Sequence, residues 1–130
     1  MKYKYISLIL ILSIILFGCD RTVSNNYDSQ KIEPITIFLE DKTVKNFQFT
    51  NAIMTIEDGS STLVTTITNT YDTDVEISYV LVHFYNGDQQ ITTLKTLVGG
   101  FVEAHNGRVL TLTTNEDLQL TDKITYEIIN

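Results

Sequence analysis

Between residues 35 and 128 apolar and polar positions alternate with a period of two, and no long stretch keeps the three-to-four spacing of an amphipathic helix. Val, Ile, Thr, Tyr and Phe dominate, and these β-branched and aromatic side chains fit a pleated, half-buried surface. The pattern predicts seven strands, at Ile35–Leu39, Phe47–Ile56, Thr62–Asn69, Val75–Tyr85, Gln90–Leu97, Val109–Thr114 and Ile124–Ile128. Turn chemistry separates them at Glu57-Asp58-Gly59-Ser60, Tyr71-Asp72-Thr73-Asp74, Asn86-Gly87-Asp88 and Asn106-Gly107, where residues tolerate positive φ or bond their own backbone.

The alternation also assigns faces. In TLVTTITN, Leu63, Thr65, Ile67 and Asn69 share the face expected to meet the core. In VEISYVLVHFY both faces are apolar in the second half. Such a strand is either central and covered twice, or carries a bulge near Tyr79 that turns Val75 and Ile77 inward first and Val80, Val82 and Phe84 later. We adopt the bulge. About seven short strands with turns roughly every ten residues point to an all-β domain, an immunoglobulin-like antiparallel β-sandwich, with a small barrel as the alternative.

The first residues follow another pattern. Lys2 and Lys4 precede an apolar run from Ile6 to Phe17, broken only by Ser7 and Ser13, and then come Gly18, Cys19 and Asp20. A membrane-spanning helix needs about 20 apolar residues, so this shorter run predicts a helical secretory signal peptide at residues 1–18. The junction Leu16-Phe17-Gly18-Cys19 resembles the lipobox of bacterial lipoproteins. The resemblance implies cleavage between Gly18 and Cys19, a diacylglyceryl thioether on Cys19, and in some hosts a further acyl chain on its amine. Two or more chains anchor stably where one is marginal. The alternative for Cys19 is a small buried thiol. Asp20 resembles the signal that holds lipoproteins on the inner membrane of enteric bacteria. DRTVSNNYDSQ is polar and aperiodic; together with Cys19 it makes residues 19–30 a lipidated cysteine and flexible tether, reaching about 35 Å at most. Residues 31–130 are left as one domain.

Without residues 1–18 the chain has seven basic against sixteen acidic residues, a net charge of −9. So few scattered cations argue against nucleic acid as a partner and against a basic patch on anionic lipid, so that attachment falls to the acyl chains. With Cys19 committed, no cysteine remains for a disulfide, and stability must come from the hydrophobic core.

The stretch TTITNTYDTDVEISYVLVHFYNGDQQI resembles the FxLYD-type immunoglobulin-like domains of bacterial surface lipoproteins, at Ile67, Asn69, Val75, Val80, Val82, Phe84, Tyr85 and Gly87. It departs from them at Thr65, where Gly is frequent, and at Ala104-His105-Asn106-Gly107, where a Pro-Gly turn is usual. The resemblance implies an extracytoplasmic β-sandwich module with no catalytic residues to carry over.

Residues able to do chemistry are few. His83 lies mid-strand and His105 in a turn; neither has a partner histidine at zinc-ligand spacing, and no nucleophile–base–orienter set is evident. Asp72, Asp74 and Glu76 offer carboxylates at alternate positions, a calcium candidate whose alternative is a solvated turn. Tyr79, Leu81, His83 and Tyr85 form a stripe that either packs in the core or presents a partner-binding patch. No metal and no cofactor beyond the acyl chains is expected. The expected role is a non-enzymatic, lipid-anchored binding or accessory module on the extracytoplasmic face of a bacterial membrane, engaging an envelope component or a secreted protein. An acidic domain of this kind suits an immunity or inhibitor lipoprotein that steers a basic partner. The alternatives are a small envelope enzyme using His83 or His105, and a passive spacer.

Overall fold

In the computed structural model, which describes residues 32–130, the period-two pattern becomes eight antiparallel strands. The signal peptide, the Gly18–Cys19 junction and the tether lie outside the described residues. The strands are β1 (Ile35–Phe38), β2 (Lys42–Val44), β3 (Phe47–Glu57), β4 (Ser60–Asn69), β5 (Val75–Asn86), β6 (Gln89–Val102), β7 (Gly107–Thr114) and β8 (Lys123–Ile129). One sheet runs β1-β3-β4-β7, with β2 also pairing β3; the other runs β6-β5-β8. Hairpins join β3 to β4 and β5 to β6 within a sheet, whereas the chain changes sheet from β4 to β5, β6 to β7 and β7 to β8. This is an immunoglobulin-like sandwich.

The facing sides of the two sheets make one core. Phe49, Met54 and Ile67 from the larger sheet meet Ile77, Val82 and Phe84 from the smaller, all buried. On β4 the inward face is Leu63, Thr65, Ile67 and Asn69, as the alternation predicts. Phe49 and Tyr126 stack across the sandwich, ring centroids 3.8 Å apart and planes within 5°.

Two irregularities set which side chains face out. On β5 the inward positions change from Ile77 to Val80, Val82 and Phe84, the predicted swap. The additional residue belongs to β6, however: Ile77 pairs with Gly100 but Tyr79 with Leu97, and Gly99 and Gly100 hold φ of 62° and 144°. On β3 a register shift between Thr50 and Ile53, with Asn51 at φ 54°, moves the inward set from Phe47 and Phe49 to Ala52 and Met54. Asp41 accepts the Asn51 N–H at 3.0 Å and holds this bulge from the loop ahead of β2.

Three boundaries differ from expectation. β2 is too short for its alternation to register in the sequence. β6 continues past Leu97, because the glycine pair bends the strand without ending its pairing. In the β6–β7 turn His105, not Asn106 or Gly107, takes the positive φ, 57°. Gly107 opens β7 instead, where an added Cβ would sit 3.2 Å from Thr66 Cγ2 and Thr68 Oγ1.

Tyr126 shows how tightly the core closes on polar groups. Burial pushes its phenol up to about 12, and the negative charge of Asp41 adds to this. The Thr65 hydroxyl pulls the other way but donates to the Thr50 carbonyl at 3.0 Å, and among the described residues the Tyr126 hydroxyl has no partner of its own. Deleting an unpaired buried hydroxyl removes a desolvation cost, so Tyr126→Phe is expected to stabilise the domain by about 1 kcal/mol near neutral pH. Between the unfolded value of 10.0 and the folded value of about 12 the unfolded chain binds fewer protons. Stability therefore falls as pH rises through that window, and Tyr126→Phe removes this loss. Melting curves of both proteins near pH 7 and near pH 11 check it; identical alkaline sensitivity would contradict it.

Candidate functional site

The swap on β5 decides where the aromatic stripe goes. Once Val80, Val82 and Phe84 turn inward, Tyr79, Leu81, His83 and Tyr85 take the opposite face, and none of the four packs against the core cluster. The core alternative for the stripe is therefore corrected: it lies on the outer face of the smaller sheet.

Strand pairing extends the stripe into rows, because partnered residues share a face. Tyr79 lies between Leu97 on β6 and Ile129 on β8, and Leu81 between Lys95 and Glu127. His83 lies between Thr93 and Thr125, and Tyr85 between Gln90 and Lys123. Leu97 is 73 % exposed. Only the pairing register reveals these neighbours; nothing in the local sequence of β6 or β8 marks them.

Polar contacts cross the rows. The His83 Nδ1 sits 2.7 Å from Thr93 Oγ1 and its Nε2 3.4 Å from Glu127 Oε2, while Gln90 Nε2 donates to Thr93 Oγ1 at 2.6 Å. Lys95 Nζ stands 4.1 Å from the centroid of the Tyr79 ring, and Lys123 Nζ 4.8 Å from that of Tyr85. The face is thus an ordered mosaic of aromatic, aliphatic and charged groups.

Thr93, His83 and Glu127 follow the hydroxyl–imidazole–carboxylate order of a hydrolase triad. They lie on three adjacent strands of an open sheet surface. His105 is elsewhere, in the β6–β7 turn, with Nε2 2.8 Å from Asp72 Oδ1. Neither histidine lines either of two surface clefts. One, about 420 Å³, has Ile32, Ile35 and Ile56 beside the carboxylates of Glu57, Asp58 and Glu116. The other, about 340 Å³, lies among Glu40, Lys42, Asp88, Asp122 and Lys123.

The calcium candidate is divided among separate tasks. Asp72 pairs with His105, Asp74 accepts the Ala104 N–H at 2.9 Å, and Glu76 sits exposed on β5 opposite Phe101. Among the described residues no group of three or more His, Cys, Asp or Glu side chains is placed to hold a metal ion. No helix among them is long and apolar enough to cross a membrane.

The outer face of the larger sheet holds a feature the sequence reading missed. Phe38, Ile53 and Val64 align across β1, β3 and β4 and are 78, 36 and 40 % exposed, next to a row of Thr36, Thr55, Thr62 and Thr113. The Asn51 bulge hid it, since it moves Ile53 out of phase with Phe49. No family model, curated protein or solved structure matches this chain.

Proposed function

We propose that the chain is a lipid-anchored extracytoplasmic binding module of a bacterial envelope, held by acylated Cys19 and working through the outer face of β6-β5-β8. The observation that carries the binding half is the stripe of Tyr79, Leu81, His83 and Tyr85, half-exposed on the outer face of a central strand. Aromatic side chains are enriched in interface cores because they bury large area with few rotors to freeze. The anchor half rests on the order of apolar run, Gly18 and Cys19.

A passive spacer predicts no aromatic patch, and this face disfavours it. The order Thr93–His83–Glu127 favours a second reading, a small hydrolase. Against it stand the open surface, with nothing to exclude water, and the long 3.4 Å contact to Glu127. An inhibitor or immunity role is the more specific version of the binding reading, supported by the net charge of −9 outside residues 1–18.

A photo-crosslinking amino acid at Tyr79, in the full chain in its native membrane, tests the reading. A discrete covalent adduct is expected from Tyr79 and none from Lys45 in the β2–β3 turn. Equal labelling at both positions, or none at Tyr79, contradicts it.

A further inference from the structure

We propose that the outer face of β6-β5-β8 docks on the same face of a second copy of this chain, about a two-fold axis running along β5; the proposal rests on the reading of that face as a binding surface. Self-association through it faces a general obstacle, because residues 32–130 carry fourteen carboxylates and only five Lys or Arg, so two copies repel. This face is the exception: in the rows from Tyr79 to Tyr85, Lys95 and Lys123 stand against Glu127, with Asp88 of the β5–β6 turn 3.7 Å from Lys123, so that its charges balance.

The rows are self-complementary about β5. A two-fold axis along the strand exchanges the β6 side of one copy with the β8 side of the other, while Tyr79, Leu81, His83 and Tyr85 meet their own counterparts. Leu97 then meets Ile129, Thr93 meets Thr125, and Lys95 meets Glu127 twice, once from each copy. An axis across the strands would put Lys95 on Lys95 and Glu127 on Glu127, so charge selects the first arrangement. Aligned packing of sheet on sheet is an established mode of burying such a face.

The patch spans about 20 Å along β5 and three strands across, which places it among small, weak interfaces. Two copies anchored in one membrane would meet at a raised effective concentration, which compensates for the small area.

The test uses the full chain in its native membrane with Leu81→Cys, the position that faces itself across the axis, and a short bis-maleimide. A covalent dimer of twice the chain mass is expected. Lys95→Glu alone and Glu127→Lys alone are each expected to cut its yield roughly tenfold, since each puts like charges opposite. Co-expressing the two single variants, or combining both changes in one chain, is expected to restore it; this rescue excludes misfolding as the cause of the loss. Dimer yield indifferent to the reversals, or loss without rescue, overturns the proposal. Crosslinking of the introduced thiol only to a different protein also overturns the second copy, yet leaves the binding reading standing. An introduced thiol that reacts freely with mono-maleimide and crosslinks to nothing overturns both.

Discussion

Asn69→Ala is expected to cost about 3 kcal/mol and to lower the melting temperature by roughly 12–20 °C. Asn69 is fully buried at the end of β4, and its side chain makes three bonds that no neighbour can replace. Its Nδ2 donates to the Thr73 carbonyl at 2.9 Å and to the Val102 carbonyl at 2.8 Å, and its Oδ1 accepts the Tyr71 N–H at 2.9 Å. One amide thereby shapes the β4–β5 connection and ties it to the end of β6, joining the sheets at the crossover. Alanine leaves two carbonyls and one N–H without these partners; the bond to Val102 is buried and the other two partly so, and an unpaired buried group costs more than its bond was worth. Thermal melting against an exposed control, Thr111→Ala, measures this. A drop below about 1 kcal/mol would show that the crossover holds without the amide.

Phe49→Ala is expected to cost about 4 kcal/mol, a large part of the 5–15 kcal/mol that holds a typical domain. Phe49 is fully buried, and its ring lies flat on Tyr126 from the opposite sheet. Truncation removes the buried ring and the stack together and leaves a cavity the rigid sheets cannot close. Phe49→Leu keeps most of the volume and is expected to cost less than half as much. Urea unfolding of the two variants compares them directly; leucine loses the stack as alanine does, so equal midpoints would contradict the role given to the cavity.

Six of the eight strands lie within a few residues of where alternation puts them, since half-buried strands write their burial into the sequence at every second position. The swap on β5 was legible for the same reason: Val75 and Ile77 fall out of phase with Val80, Val82 and Phe84. Its location on β6 was not, because Gly99-Gly100 reads equally as a strand end. The Asn51 bulge on β3 was missed, as one Asn inside an apolar strand carries no pattern of its own. β2 is held by pairing with β3 and by nothing its three residues could announce.

The site divides in the same way. The stripe on β5 was visible as every second residue of one strand. Lys95, Leu97, Glu127 and Ile129, which give the face its charge and its width, come from strands 14 to 50 residues away and join it only through register. Which of the two apolar-lined faces of β5 meets solvent also depends on the fold, because Tyr79 and Leu81 are as apolar as residues that go inside.

The claim on which the functional reading depends is the anchor at Cys19, and intact mass measures it most directly. The chain is isolated from its native membrane fraction and weighed beside a Cys19→Ala variant. The account predicts residues 19–130 plus a diacylglyceryl group, with or without one further acyl chain, and loss of that species in the variant. An unacylated chain that keeps residues 1–18 would contradict it.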